Sequence, residues 1–180
     1  YTDNENDFCR LYIEQLISQN INVGVITNHN KFDKNEFVAL RKKAIKESIG
    51  LFAGVEFSLK EGIHILIVFD DKWYQGETDN INKFLDNAFY GIANYDKPNY
   101  PNSNFSLKET VDALDKIGHD YFIVLAHIDD TNGLFSELRG RTQEDFVKQE
   151  SFNRVLAVQK SANLENYNKL NLWLNRKSKI

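Results

Sequence analysis

An α/β fold, with a mainly parallel sheet covered by helices and either open or closed into a barrel, is predicted by three features of the sequence. Short apolar runs alternate with segments of helical period. Several of the runs are apolar throughout, as strands buried on both faces are. No linker and no internal repeat divides the chain, so residues 1–180 read as one domain with a sizeable core.

The elements follow in order. Residues 7–19 carry Phe8, Leu11, Tyr12 and Leu16 at helical spacing, and Cys9 within them is expected to pack against the core. Residues 22–27 read as a buried strand that stops at Thr27-Asn28-His29-Asn30. Asp33, with Glu36 three residues on, opens a helix whose buried face is Phe37, Leu40 and Ala44. The segments 51–59 and 63–70 are strands joined by the short turn Lys60-Glu61-Gly62. Thr78 is the expected cap of a helix bearing Ile81, Phe84, Leu85 and Ala88. Both prolines fall in 94–105, which reads as a loop. Ser106 and Glu109 form a capping box before a helix burying Val111, Leu114 and Ile117. Residues 121–126 are a buried strand ending at His127, Thr142 caps a further helix, 154–159 are a strand, and 163–175 a helix.

Composition narrows the function classes. Hydrophobic residues make up 42% and aromatics 13%, which is a globular rather than a disordered composition. A net charge of −4 argues against a surface dominated by basic residues for nucleic acid. The single cysteine excludes an internal disulfide. No apolar run approaches the roughly 18 residues of a membrane span, the polar amino terminus is unlike a signal peptide, and a cytoplasmic location is the default expectation. The chain has no methionine, and Arg176–Ile180 stop where a further strand could start. Both ends are therefore expected to be cut from something longer.

In parallel α/β folds, sites collect at the carboxyl ends of the strands. Of the four histidines, three fall within or directly after an apolar strand: His29, His64 and His127. Glu56 interrupts the otherwise apolar segment FAGVEFSL. Taken singly, each has a plain reading as a turn histidine or a solvent-facing glutamate. Taken together, three imidazoles and a carboxylate make a ligand set suited to zinc, manganese or iron. The carboxylate would offset the cation charge and can bridge two ions. His119, in a loop before a strand, is ordinary.

At these residues the sequence resembles the PHP family, the polymerase and histidinol phosphatase domains. GVITNHN resembles that family's strand ending in Thr-Asp-His-Asn, FAGVEFS its Gly-x-Glu strand, GIHILIVF the histidine-bearing strand that follows, and IVLAHID its later strand ending in Ala-His. The segments come in the family's order and cover most of the chain. HILIVFDD with AHIDDTNGLFSEL is most similar to PHP domains fused to SMC-like or AAA-like ATPases.

The resemblance implies a distorted (β/α)7-type barrel, incomplete in this chain, and a multinuclear site of divalent metal ions that hydrolyses phosphoesters. His29, Glu56, His64 and His127 would be ligands, with Asp129 as a further candidate. The substrate implied is a phosphorylated molecule or nucleic acid, and an ATPase domain is implied elsewhere in a longer chain. Arg139 and Arg141 could hold substrate phosphate, although a solvated loop before a helix is the plainer reading of that pair.

The family's opening His-x-His and closing Asp-x-His are absent, and Asn28 stands where the family has aspartate, a neutral stand-in behind the ligand His29. With those motifs missing, residues 1–180 alone are expected to bind metal weakly and to hydrolyse phosphoesters poorly. The alternative function is an inactive PHP module that stabilises or regulates an attached ATPase or nucleic-acid enzyme. A metal-free small-molecule binding domain would need the four residues to lie apart.

Overall fold

Residues 5–159 are described by the computed structural model. The chain runs α1 (Glu5–Ser18), β1 (Val23–His29), α2 (Lys34–Lys46), β2 (Gly50–Ser58) and β3 (His64–Phe69), then a 3-10 turn (Asp71–Trp73) and α3 (Asn80–Ala88). It continues with α4 (Leu107–Ile117), β4 (Tyr121–Leu125), α5 (Leu134–Glu137), α6 (Gly140–Lys148), a second 3-10 turn (Glu150–Arg154) and β5 (Val155–Val158). The helix expected over 163–175 lies outside the described residues.

The five strands form one sheet in sequence order, β1-β2-β3-β4-β5. β1 runs parallel to β2 and β4 to β5, whereas β3 is antiparallel to both its neighbours. So four strands point one way and β3 points against them. The reason is in the connection. A parallel pair needs a crossover of a dozen or more residues, and the link between β2 and β3 is a tight turn in which Leu59 N donates to Ile63 O and Gly62 takes φ +83. Among the described residues the sheet is open, and no barrel closure is seen.

Alternation divides the sheet into two faces. Ala53, Val55 and Phe57 of β2, Ile65, Ile67 and Phe69 of β3, and Ile123 and Leu125 of β4 are buried in the main core with Phe37, Leu40, Ala44, Ile81, Leu85 and Leu114 from the helices. The other face is more open: Phe52 and Phe122 are exposed. β1 departs from the expected buried strand. It is an edge strand in the described sheet, and Val23 and Val25 are 67% and 37% exposed.

Helix ends follow local chemistry. Asp33 accepts from Glu36 N, and Ser106 and Glu109 form the reciprocal capping box. Asp79, not Thr78, caps α3. Thr142 lies inside the first turn of α6 and donates to Arg139 O rather than capping the helix. In α1 the buried seam is Cys9 and Ile13, not Phe8 and Leu11, which are exposed.

One glycine in β2 is required by space. A Cβ on Gly54 would lie 2.6 Å from Val25 Cγ1 and 3.0 Å from both Thr27 Cγ2 and Ile67 O. β1 side chains therefore lie over the bare backbone of β2. Gly54→Ala is expected to destabilise the chain by about 1–3 kcal/mol, because overpacked positions must shift backbone to relieve the clash. Urea unfolding of the two proteins measures this, and an unchanged midpoint would contradict it.

Candidate metal centre

The strand directions bring the predicted ligands to one edge of the sheet. His29 closes β1 and pairs in register with Glu56 near the end of β2. His64 opens the reversed β3 opposite Ser58, the last residue of β2. His127 lies two residues beyond β4, whose Leu125 pairs with Ile65. The site thus sits at the carboxyl ends of β1, β2 and β4 and at the amino end of β3. His64, predicted near the start of its strand, reaches the same edge only because that strand is reversed.

Glu56 is the hub. Its Oε1 lies 3.2 Å from His64 Nδ1, 3.2 Å from His127 Nε2 and 3.9 Å from His29 Nδ1. His64 Nδ1 and His127 Nε2 are 3.3 Å apart. One ligand atom each from His29, Glu56 and His64 lies within 4.8 Å of the others, and His127 joins them through Glu56 and His64. The His29 ring meets the His64 ring edge to face at 4.6 Å and stacks on Tyr100 at 4.0 Å with an interplanar angle of 17°.

The surroundings pin these rings. Asn30, which is fully buried at φ +51, donates from Nδ2 to Ser58 Oγ and to the carbonyls of Tyr95 and Pro101, and accepts from Ser58 N. It ties β1 to the end of β2 and to the 94–105 loop. His29 Nε2 lies 2.9 Å from Ser58 Oγ.

His64 is held through its backbone. Its N–H donates to Asn132 O and its carbonyl accepts from Ala126 N. His127 takes φ +24, a conformation that costs a non-glycine residue energy and that clusters at functional sites. Gly133 closes the following turn, where a Cβ would lie 2.3 Å from His127 O.

Electrostatics favour an ionised Glu56 and a neutral His29. The hydrogen bond from His64 is the largest influence on Glu56 and, with His127 and the charges of His29 and His64, it outweighs burial and lowers the carboxyl from 4.5 to about 2. Burial, then His64, push the His29 imidazole below its ordinary value despite the pull of Glu56. A neutral imidazole offers a lone pair and an ionised carboxylate offers negative charge, as metal ligands must. His127 Nδ1 is buried and has no hydrogen-bond partner among the described residues. Three imidazoles and one carboxylate fit the nitrogen and oxygen coordination of zinc or a similar divalent ion.

The other predicted residues lie differently. Asn28 is exposed, and its register partner is the core residue Val55, which puts it on the opposite face of β1 from His29. The charge-free support behind His29 comes from Asn30 and Ser58 instead. Arg139 and Arg141 are exposed at the start of α6, where Arg141 Nε lies 3.7 Å from Asp145 Oδ2, one helical turn on. Asp129 is half-buried just beyond His127.

Ser58 was findable: two residues beyond Glu56 in a strand, it must share the glutamate's face. The left-handed Asn30 and the stacking Tyr100 depend on loop conformation, for which the sequence carries no periodic signal.

No protein-family model matches the chain, and no curated protein sequence matches it. Among solved structures, it is similar to the crystal structure of a candidate metal-dependent phosphoesterase from Bifidobacterium adolescentis. The match has a TM-score of 0.55 and 14% sequence identity, and covers 84% of this chain and 71% of that one. At that identity the likeness is one of fold: a mixed α/β chain arranged as in that protein. No helix among the described residues is long and apolar enough to cross a membrane.

Proposed function

We propose that this chain carries the metal centre of a metal-dependent phosphoesterase of the PHP type. The observation that carries this reading is the convergence of His29 and His64, at strand ends, and His127, just beyond β4, on one carboxylate oxygen of Glu56. The likeness of fold to the Bifidobacterium adolescentis protein supports it. His29, His64 and His127 would supply nitrogen ligands and Glu56 the charged oxygen.

Bound divalent ions would supply Lewis acidity toward phosphoryl oxygens and water at this spot. The chain's part is to present four donors from rigid strand ends and to keep Glu56 ionised. Its histidines must also stay free of competing protons. More than one ion is part of the proposal, with Asp129 as a further ligand. So are zinc, manganese or iron as the metal, a phosphorylated molecule or nucleic acid as substrate, an ATPase domain as partner in a longer chain, and a cytoplasmic location.

Calorimetric titration of the chain with zinc, and then manganese, tests the metal. Wild type should bind at least one equivalent, and His64→Ala should lose that binding, because one of four donors is gone and Glu56 loses its main partner. Hydrolysis of an aryl phosphodiester should need the ion and stop on chelation. Absence of ion binding, or hydrolysis indifferent to both chelator and His64→Ala, would overturn the reading.

A further inference from the structure

We propose that Ser58 is a positioning residue for this metal centre, its hydroxyl oxygen accepting the Nε2–H that His29 must carry when its Nδ1 holds an ion. The inference rests on the metal-centre reading above and adds a residue which that reading does not contain.

The argument is one of imidazole valence. A neutral imidazole has one lone-pair nitrogen and one N–H, so ligation through one nitrogen places the proton on the other. In His29 it is Nδ1 that faces the cluster, 3.9 Å from Glu56 Oε1. Nε2 faces away from it, 2.9 Å from Ser58 Oγ. Ligating histidines commonly give their second N–H to a fixed acceptor, which sets both tautomer and ring orientation. Ser58 is the hydrogen-bond partner shown for the His29 ring among the described residues.

Ser58 is fixed well enough for this task. It is fully buried, its N–H donates to Asn30 Oδ1 at 3.0 Å, and its carbonyl accepts from Ser103 N at 2.9 Å. Asn30 Nδ2 donates to Ser58 Oγ at 3.3 Å, which occupies one of the two hydroxyl lone pairs. The second remains for the imidazole.

A hydroxyl also has an advantage over a carbonyl or a carboxylate here, because it can donate as well as accept. The same 2.9 Å contact can therefore serve the free imidazole with its proton on Nδ1 and the ligated one with its proton on Nε2. Meanwhile the Tyr100 ring stacked at 4.0 Å holds the plane of His29, so exchanging the two nitrogens by a ring flip would need that stack to open.

Histidine-labelled, zinc-loaded wild type examined by two-bond proton–nitrogen correlation spectra should show His29 with a protonated Nε2 and a metal-bound Nδ1. Ser58→Ala removes the acceptor while leaving the four donors in place. It should raise the zinc dissociation constant by about 10–100-fold, as loss of a partner behind a ligand does, and should broaden or shift the His29 Nε2–H signal. A wild-type spectrum with zinc on Nε2 would overturn the inference whatever the variant does. So would a folded Ser58→Ala protein with unchanged affinity and an unchanged His29 signature. Wild type that binds no zinc would defeat the metal-centre reading and this inference together, whereas the other two results leave that reading standing.

Discussion

Asn30→Ala is expected to cost about 3–4 kcal/mol of folding stability, and Asn30→Gly about 1 kcal/mol less. Alanine removes the only acceptor shown for the buried Ser58 N–H, and an unsatisfied buried donor costs about 1–3 kcal/mol. It also removes the shared donor to Ser58 Oγ and to the carbonyls of Tyr95 and Pro101. At φ +51 the alanine Cβ adds roughly 1 kcal/mol of left-handed backbone strain, which glycine does not incur.

The order of the two variants is the discriminating result. If only the lost hydrogen bonds mattered, alanine and glycine would be equal. If glycine's flexibility in the unfolded chain dominated, glycine would be the worse. Urea unfolding at neutral pH, with metal removed, measures both variants against wild type. Equal midpoints for all three would show that Asn30 does not tie β1 to the 94–105 loop.

Asn30 also marks where the sequence stops being readable. Regular elements are legible because burial imposes a period. The Phe37, Leu40, Ala44 face of α2 and the Ile81, Phe84, Leu85, Ala88 face of α3 are seen where the spacing puts them. The capping box at Ser106 and Glu109 is legible because two side chains and two backbone groups at fixed spacing define it. His29, Glu56, His64 and His127, expected together as a ligand set, do lie at one edge of the sheet, His64 only because β3 is reversed.

The reversed direction of β3 was implied by the short turn before it, yet an overall α/β alternation outweighed that local signal. At the end of β1 the sequence offers two asparagines, Asn28 and Asn30, flanking one histidine. Resemblance pointed to Asn28. Strand alternation turns Asn28 away, and a left-handed turn buries Asn30 instead. The edge position of β1 in the described sheet is a property of which strands are neighbours, and no local pattern in 22–27 encodes it.

Glu56→Gln should lower zinc affinity by at least about 100-fold. Replacing a partner behind a ligand costs about 10–100-fold, and here a proposed ligand itself loses its charge. Glutamine keeps the shape and one carbonyl oxygen near His64 and His127, so the fold should survive and the loss is electrostatic.

The same variant has a signature without metal. The wild-type carboxyl titrates at about 2 in the folded chain against 4.5 ordinarily. Between those values the unfolded chain holds more protons than the folded one, so stability rises with pH through that window. The contribution is fully present above 4.5, and it is lost as pH falls toward 2. Glutamine cannot titrate, so metal-free Glu56→Gln should show a flatter fall in stability below about pH 4 than wild type does. Zinc titration at neutral pH and urea midpoints in acid, with chelator present, read the two effects separately. Unchanged zinc affinity would remove Glu56 from the ligand set. Parallel acid curves would show that its carboxylate is not stabilised by the imidazoles around it.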